Sequence, residues 1–239
     1  MKKIFLLLSF TILILQSCSS DNNSENSNNS GNMLLKRLEY SDNFGPIYFK
    51  YNGTKLNYYS FGEQSGLLKK QFTYTGNVIT KAEWFENGVA TGEKDTYTYS
   101  NNKLIEHRTY SPGAVLERVS NFEYISDGTI NLTAENSSGN IVFFAKLYLD
   151  SNGNVIKSES SSSYFVLYEY DNKNNPFRNI TGFSEIFLTD PNFGTNNLTK
   201  KTSGNNIYNY NYQYNSQNYP ISQEKIEPGQ ANEIMTYYY

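Results

Sequence analysis

The sequence predicts an all-β protein, an antiparallel meander of repeated hairpins of about 25 residues that forms a curved, open or partly rolled sheet. Three observations lead to this prediction. An aromatic residue, any residue and a tyrosine recur at a nearly fixed spacing, a turn sequence follows each of these motifs, and aromatic residues alternate with polar ones. Self-similarity at a fixed period is typical of repeat architectures.

The recurring motif is found from residue 33 to the C-terminus. It reads Phe49-Lys50-Tyr51, Phe72-Thr73-Tyr74, Tyr97-Thr98-Tyr99, Phe122-Glu123-Tyr124, a weaker Leu147-Tyr148-Leu149, Tyr168-Glu169-Tyr170 and Tyr212-Gln213-Tyr214. The last residues of successive motifs lie 23, 25, 25, 25, 21 and 44 residues apart. The final gap covers two periods, so one unit is degenerate or replaced.

Two turn signals in each unit predict that the unit is one hairpin. The first follows the motif at Asn52-Gly53, Gly76-Asn77, Asn101-Asn102, Asp127-Gly128 and Asn152-Gly153, and the second lies near Gly66, Gly88, Pro112-Gly113 and Ser138-Gly139. Glycine and asparagine accept the positive φ angles of tight hairpin turns. An aliphatic residue then begins the returning strand, at Leu56, Ile79, Leu104, Ile130 and Val155.

Alternation near the C-terminus favours strands over helices. Tyr208, Tyr210, Tyr212 and Tyr214 fall at a period of two, with asparagine or glutamine between them. No amphipathic helix is predicted after residue 32. We expect the aromatic residues to line one face of the sheet, where neighbouring pairs contribute roughly 0.2 to 1 kcal/mol each.

The N-terminal segment predicts export and division into three parts. Residues 1–17 form a signal peptide with a positive start and an apolar stretch from Ile4 to Leu15, too short to span a bilayer as a helix. Residues 18–32 form a polar tether, and residues 33–239 form a single β-repeat domain. Leu15-Gln16-Ser17-Cys18 resembles the lipobox of bacterial lipoproteins, although Gln16 departs from the small residue usual there.

This resemblance implies that Cys18 is acylated and becomes the N-terminus of the mature chain. Three acyl chains would anchor the protein durably to a membrane, whereas one chain binds only marginally. Ser19 is not the aspartate that resembles an inner-membrane retention signal. The expected location is therefore the outer membrane, with the domain facing the periplasm or the cell surface.

The repeat itself resembles the YD (RHS-type) repeat. The similarity is strongest over residues 148–156, which contain Tyr148, Asp150 and Gly153, and over residues 168–177. The chain also resembles short repeat lipoproteins of diderm bacteria. Large YD proteins form closed β-shells, but about seven units are too few for such a shell, so an open sheet is expected. From about 182 to 206 the repeat lapses into a long loop, which is either functional or a decayed repeat.

Composition excludes several classes of function. The chain has 20 basic and 23 acidic residues, and loss of Lys2 and Lys3 with the signal leaves it more acidic, which does not suit a nucleic-acid partner. With one cysteine and one histidine, neither disulfides nor a Cys/His metal site can form. No catalytic motif or cofactor motif is found, and His107 is interpreted as an ordinary strand histidine. The prediction is a non-enzymatic protein without cofactor or metal.

Two kinds of function stay open on the sequence alone. The first is a binding or structural role in the cell envelope through a protein partner, for example at an exposed strand edge. The second is glycan binding by exposed aromatic rings, for which the candidate residues are Trp84, Tyr208, Tyr210, Tyr212 and Tyr214. The alternative role for these rings is the core of a fold that is poor in aliphatic residues.

Overall fold

The protein, seen in a computed structural model, is a closed barrel of sixteen antiparallel strands. The structure describes residues 33–41, 45–63, 67–161, 164–186, 188 and 194–239. The strands are β1 (Arg37–Tyr40), β2 (Ile47–Asn52), β3 (Lys55–Phe61), β4 (Leu68–Thr75), β5 (Val78–Glu86), β6 (Val89–Ser100), β7 (Lys103–Ser111), β8 (Val115–Tyr124), β9 (Ile130–Asn136), β10 (Ile141–Leu149), β11 (Val155–Ser161), β12 (Tyr164–Tyr170), β13 (Leu198–Ser203), β14 (Asn206–Tyr214), β15 (Pro220–Ile226) and β16 (Glu233–Tyr238). All strand pairings lie within residues 33–239.

The predicted antiparallel meander of hairpins is confirmed, since each strand pairs with the strands before and after it in sequence. The turns show why. Asn101 and Asn102, between β6 and β7, have φ angles of 50° and 60°, as a tight two-residue hairpin turn requires. In the longer turn after β10, the Asp150 carboxylate accepts hydrogen bonds from the backbone N–H groups of Asn152 and Asn154, and Gly153 has a φ of 83°.

The expectation of an open or partly rolled sheet is wrong, because the first and last strands pair with each other. Arg37 lies opposite Tyr238, and Tyr40 lies opposite Met235. Each of the repeat units contributes two strands, so about seven units with the terminal strands suffice for sixteen. Closure satisfies the backbone groups that two free sheet edges would have exposed.

Six hairpin turns, Met33 and Tyr239 lie at one end of the barrel, called here the capped end, and the opposite end is called the open end. A ring of buried aliphatic residues surrounds the interior at the capped end, and most of them begin a returning strand. They are Leu35, Leu56, Ile79, Leu104, Ile130, Val155 and Leu198, none more than 6% exposed. The aliphatic position of the sequence motif is therefore the core of this end.

Tyrosine hydroxyls link several hairpins to the preceding part of the chain near this ring, and we call these bonds the tyrosine latches. Tyr99 donates to the Ile79 carbonyl at 2.8 Å, and the Tyr74 hydroxyl accepts from the Leu56 N–H at 3.0 Å. Equivalent bonds join Tyr51 to Leu35, Tyr170 to Val155, Tyr212 to Leu198 and Tyr239 to Pro220. Burial raises the pKa of Tyr74 to about 12, so this hydroxyl stays protonated at neutral pH.

The connection between β12 and β13 enters the capped end and fills it. Residues 171–186, called here the plug, place Phe177, Ile180, Phe183 and Ile186 in the core, all less than 9% exposed. The Phe177 and Phe183 rings stack on each other at 5.4 Å, and Phe183 also contacts Phe72 of β4. Each buried phenylalanine contributes roughly 1.5 to 3 kcal/mol. The plug supplies the apolar volume that the wall of a sixteen-stranded barrel cannot supply alone.

Specific polar contacts hold the plug against the wall. The Thr181 N–H donates to the Thr54 carbonyl at 3.0 Å, and the two threonine hydroxyls lie 2.7 Å apart. At Gly182, with a φ of 71°, a Cβ atom would lie 2.7 Å from the Asn77 carbonyl oxygen, so only glycine fits. Opposite these contacts, Asn179 donates to the Met33 carbonyl.

The chain leaves the plug through a buried asparagine network. The Asn154 side-chain oxygen accepts from the backbone N–H groups of Thr195 and Asn196, and its amide donates to Asp150. Asn197 donates in the same way to Asp171, which begins the plug. Every polar atom of Asn154 therefore has a partner, although the residue is only 1% exposed.

The plug contains a four-residue helix, α1 (Phe183–Ile186), where no helix was predicted. Four residues are too few to show a helical period in the sequence. A long connection is present, but it lies between β12 and β13 at residues 171–197, and residues 198–203 of the predicted loop form β13. Residues 187 and 189–193 lie outside the described part. No helix in the described part is long and apolar enough to cross a membrane.

Replacing Tyr99 by phenylalanine tests the tyrosine latches. The variant keeps the ring but leaves the Ile79 carbonyl without its hydroxyl donor, which should lower the free energy of unfolding by about 1 to 2 kcal/mol. Chemical denaturation of the variant and the parent measures this difference. Tyr58→Phe, on the outer face, is the control and should change stability by less than about 0.5 kcal/mol. Equal effects of the two substitutions would contradict the latch.

Candidate functional site in the barrel lumen

Above the plug, the inner wall carries a charged cluster at about mid-height, called here the ionic layer. The Lys70 ammonium on β4 lies 2.7 Å from one carboxylate oxygen of Asp95 on β6, and the His107 Nε2 on β7 lies 2.8 Å from the other. These side chains retain 15 to 24% of their exposure, so they border the open part of the lumen. The plug closes the lumen below them.

Aromatic rings surround the ionic layer, and their faces are already occupied by protein. The Trp84 ring stacks on Phe61 at 5.9 Å and meets Tyr59 edge to face, while the Lys70 ammonium lies 5.3 Å from its centre. The His107 ring stacks on Tyr97, with ring centres 4.9 Å apart. The charged groups are therefore packed against aromatic rings rather than surrounded by solvent.

Mutual attraction holds the Lys70 and Asp95 side chains in their charged forms. Burial alone would raise the pKa of the Asp95 carboxyl, but the Lys70 ammonium and His107 outweigh it, so that pKa lies well below its usual range. For Lys70, burial lowers the pKa of the ammonium, and the Asp95 carboxylate more than restores it, so that pKa lies above its usual range. At neutral pH, the Lys70 and Asp95 side chains form a charged pair inside the barrel.

The position of Asp95 could have been predicted from the motif. Asp95 lies two residues before Tyr97, and alternate residues of a strand face the same side. The inward aromatic pair Tyr97 and Tyr99 therefore carries Asp95 into the lumen. Lys70 occupies the same position two residues before Phe72, whereas His107 cannot be assigned so simply, because a bulge interrupts the register between β6 and β7. Such bulges are not visible in the sequence.

The predicted ligand-binding residues also face inward. Trp84 is half-buried in the aromatic cluster, and Tyr210 is buried. Tyr212 donates to the Leu198 carbonyl, Tyr214 donates to the Asp171 carboxylate, and Tyr208 lies beneath the Lys201 ammonium. A glycan would therefore have to enter the lumen to reach them. Their role in ligand binding stays a prediction.

Two other predictions from the sequence concern metal binding and the acylation of Cys18. Within the described ranges, no three His, Cys, Asp or Glu side chains come close enough to hold a metal ion. Cys18, the predicted acylation site, lies outside the described residues, as do the signal peptide and the tether. Its acylation stays a prediction.

Comparison with known proteins gives a likeness in fold. No family model matches the chain, and no curated protein sequence matches it. Among solved structures, a porin-like protein from Bacteroides vulgatus is 14% identical with a TM-score of 0.54, over 87% of this chain and 99% of that one. A porin-like protein from Bacteroides uniformis is 14% identical with a TM-score of 0.52, over 85% of this chain and 96% of that one.

These likenesses correct the family expected from the sequence. The expectation was a short lipoprotein whose YD or RHS-type repeats form an open sheet; the matching structures are porin-like, and the sheet of this chain is a closed barrel. The turn sequences that resembled YD repeats, such as residues 148–156, are hairpin turns of this barrel. Similar turn chemistry arose because any hairpin needs residues that accept positive φ.

Replacing Asp95 by asparagine tests the ionic layer. A carboxyl with a lowered pKa stabilises the fold above its unfolded value of about 4 and loses that contribution as the pH falls further. The variant should be about 3 kcal/mol less stable at pH 7, with a smaller loss of stability below pH 4 than the parent. Unfolding at several pH values measures both effects.

The matched control for this prediction is Glu159→Gln, which breaks an ion pair on the outer face. Lys157 and Glu159 are 30 and 31% exposed, so this change should lower the stability much less than Asp95→Asn does. An Asp95→Asn variant as stable as this control would mean that the ionic layer does not stabilise the barrel.

Proposed function

We propose that the protein is a non-enzymatic binding barrel of the outer membrane, tethered through lipid on Cys18, whose wall stands in water and whose lumen is a cup. The observation that carries this proposal is the combination of a plug at one end with a charged outer wall. The cup has the plug as its floor and the ionic layer on its side. A small polar ligand that enters from the open end would meet Lys70, Asp95 and His107.

The charges on the outer wall favour a barrel whose outer face is exposed to water. Its middle carries ion pairs on several strands, between Lys81 and Glu83 on β5, Arg108 and Glu106 on β7, and Lys157 and Glu159 on β11. A transmembrane barrel has an apolar outer band about 25 Å tall at this height, and a cation there costs about 2 to 4 kcal/mol at the bilayer midplane. Ion pairs on three strands at mid-height favour water around the wall.

The position of the plug favours a function in binding over a function in conducting solutes. Conduction needs a lumen that is open from end to end, as in porins. In the described part of this barrel, Phe177 and Phe183 stack within the capped end, and the Thr54 and Thr181 hydrogen bonds fix them there. The name porin-like, which the matching structures carry, therefore describes the shape of this barrel better than its proposed activity.

Thiol labelling tests where the wall lies. Cys18 is the only cysteine, and acylation would block its thiol, so an introduced cysteine can be labelled selectively. Thr133→Cys on β9 and Thr236→Cys on β16 place thiols on the outer face of two distant strands. Both should react with a membrane-impermeant maleimide in permeabilised cells before any detergent dissolves the outer membrane. Reaction only after detergent would mean that the barrel spans the bilayer.

A cysteine at a third position of the full-length protein tests whether the lumen is narrow. Ser158 on β11 lies opposite buried Leu147 and therefore faces the lumen. Ser158→Cys should react with a small maleimide but not with a 5 kDa polyethylene glycol maleimide, which should still modify the Thr133→Cys protein. Equal reaction of both positions with the large reagent would contradict a narrow lumen.

A further inference from the structure

Exposed apolar side chains are concentrated at the open end of the barrel. They lie at or near the tips of the hairpins there, on separate strands around the circumference. They include Leu67, Leu68, Val89, Val115, Ile141, Val142, Phe143, Phe144, Tyr164, Phe165, Ile207 and Ile234, with exposures from 37 to 69%. The most exposed are Val89 at 69% and Ile141 at 65%. We call this set the apolar rim.

We propose that the apolar rim docks onto the surface of a lipid bilayer, so that the cup opens towards the membrane. The proposal rests on a wall that stands in water, as proposed above. Apolar patches of this kind mark interaction sites. Because the rim is a ring on the tips of different hairpins, a flat apolar medium can contact all of it at once, whereas a globular partner or a peptide would cover one sector.

The outer face just behind the rim has the chemistry of a membrane interface. The Lys69 ammonium lies 5.3 Å from the centre of the Tyr58 ring and 5.4 Å from that of Phe85. On the β6–β7 side, the Lys94 ammonium lies 5.0 Å from the centre of the Tyr110 ring. Aromatic rings and lysines with long apolar stems are favoured at the level of lipid headgroups. The ammonium groups would meet lipid phosphates there.

The ion pairs at mid-height limit how deeply the rim can enter. Arg108 and Glu106 lie near the middle of β7, and Lys81 and Glu83 lie near the middle of β5. Insertion past the hairpin tips would remove these charges from water at high cost. The rim is therefore expected to bind at the interface without crossing the bilayer.

The tether is long enough for the rim and the Cys18 anchor to use one membrane. Met33 lies at the capped end, so the tether must span the height of the barrel. Residues 18–32 reach at most about 50 Å when fully extended. The longest strand, β6, has 12 residues, which span about 40 Å along the strand and less along the tilted barrel axis. The anchor therefore permits this orientation.

Vesicle flotation tests the proposal with residues 33–239, which include every strand pairing of the barrel and carry no acyl group or signal. The vesicles consist of phosphatidylethanolamine and phosphatidylglycerol at 3:1. The protein should float with the vesicles, and the double variant Val89→Asp with Ile141→Asp should bind at least tenfold more weakly. The control pair Ile156→Asp with Ile221→Asp, near the capped end with exposures of 39 and 40%, should bind like the parent.

Three results would overturn the docking proposal: no binding of the parent, equal weakening by both double variants, or lipid-free self-association that the rim variant alone abolishes. The last result would assign the rim to a second copy of the chain. Circular dichroism and unfolding of both variants check that each is folded. Extraction of the vesicles at alkaline pH distinguishes a failure of the docking proposal from a failure of the proposed water-exposed wall. Protein that is only docked should be released. Vesicle-bound protein that resists extraction would contradict the water-exposed wall.

Discussion

The hydrogen bonds between tyrosine hydroxyls and the backbone of the preceding hairpin are the interaction on which the rest of the barrel depends. The latch of Tyr99 with Ile79, for example, fixes the last aromatic residue of a repeat against the buried aliphatic residue of its neighbour. The direction of one tyrosine sets the inward face of its whole strand, because side chains alternate. From that register follow both the ring of aliphatic residues at the capped end and the lumenal position of Asp95.

The plug fills interior space that closure of a sixteen-stranded barrel creates. A sixteen-stranded barrel is too wide for its own wall residues to fill, so it either leaves a channel or takes up another segment. Here Phe177 and Phe183 occupy the capped half, and the charged pair of Lys70 and Asp95 lies in the half that is left open. The same segment interrupts the sequence repeat, which explains why the lapse after Tyr170 coincides with a connection that enters the barrel.

Local features of the fold could be predicted from the sequence, whereas its global features could not. Turn residues such as Asn101 and Gly153, and the strands beside them, follow from backbone conformations that each residue prefers. Closure depends on how Arg37 and Tyr238 meet after sixteen strands of accumulated twist and bulges, which no local pattern encodes. In the lumenal cluster, the inward positions of Lys70 and Asp95 follow from the alternation with Phe72 and Tyr97. The position of His107 depends on the bulge between β6 and β7, and His107 was expected to be an ordinary strand residue.

The capped lumen is the central claim, and a disulfide between wall and plug tests it most directly. In a Cys18→Ala background, Thr54→Cys with Thr181→Cys replaces two hydroxyls that lie 2.7 Å apart. Mild oxidation should join these thiols within one chain, seen as a faster-migrating band on a non-reducing gel, whereas Thr54→Cys with Thr133→Cys should remain reduced. Failure of the first pair to join, in a folded protein, would show that the plug does not occupy the capped end.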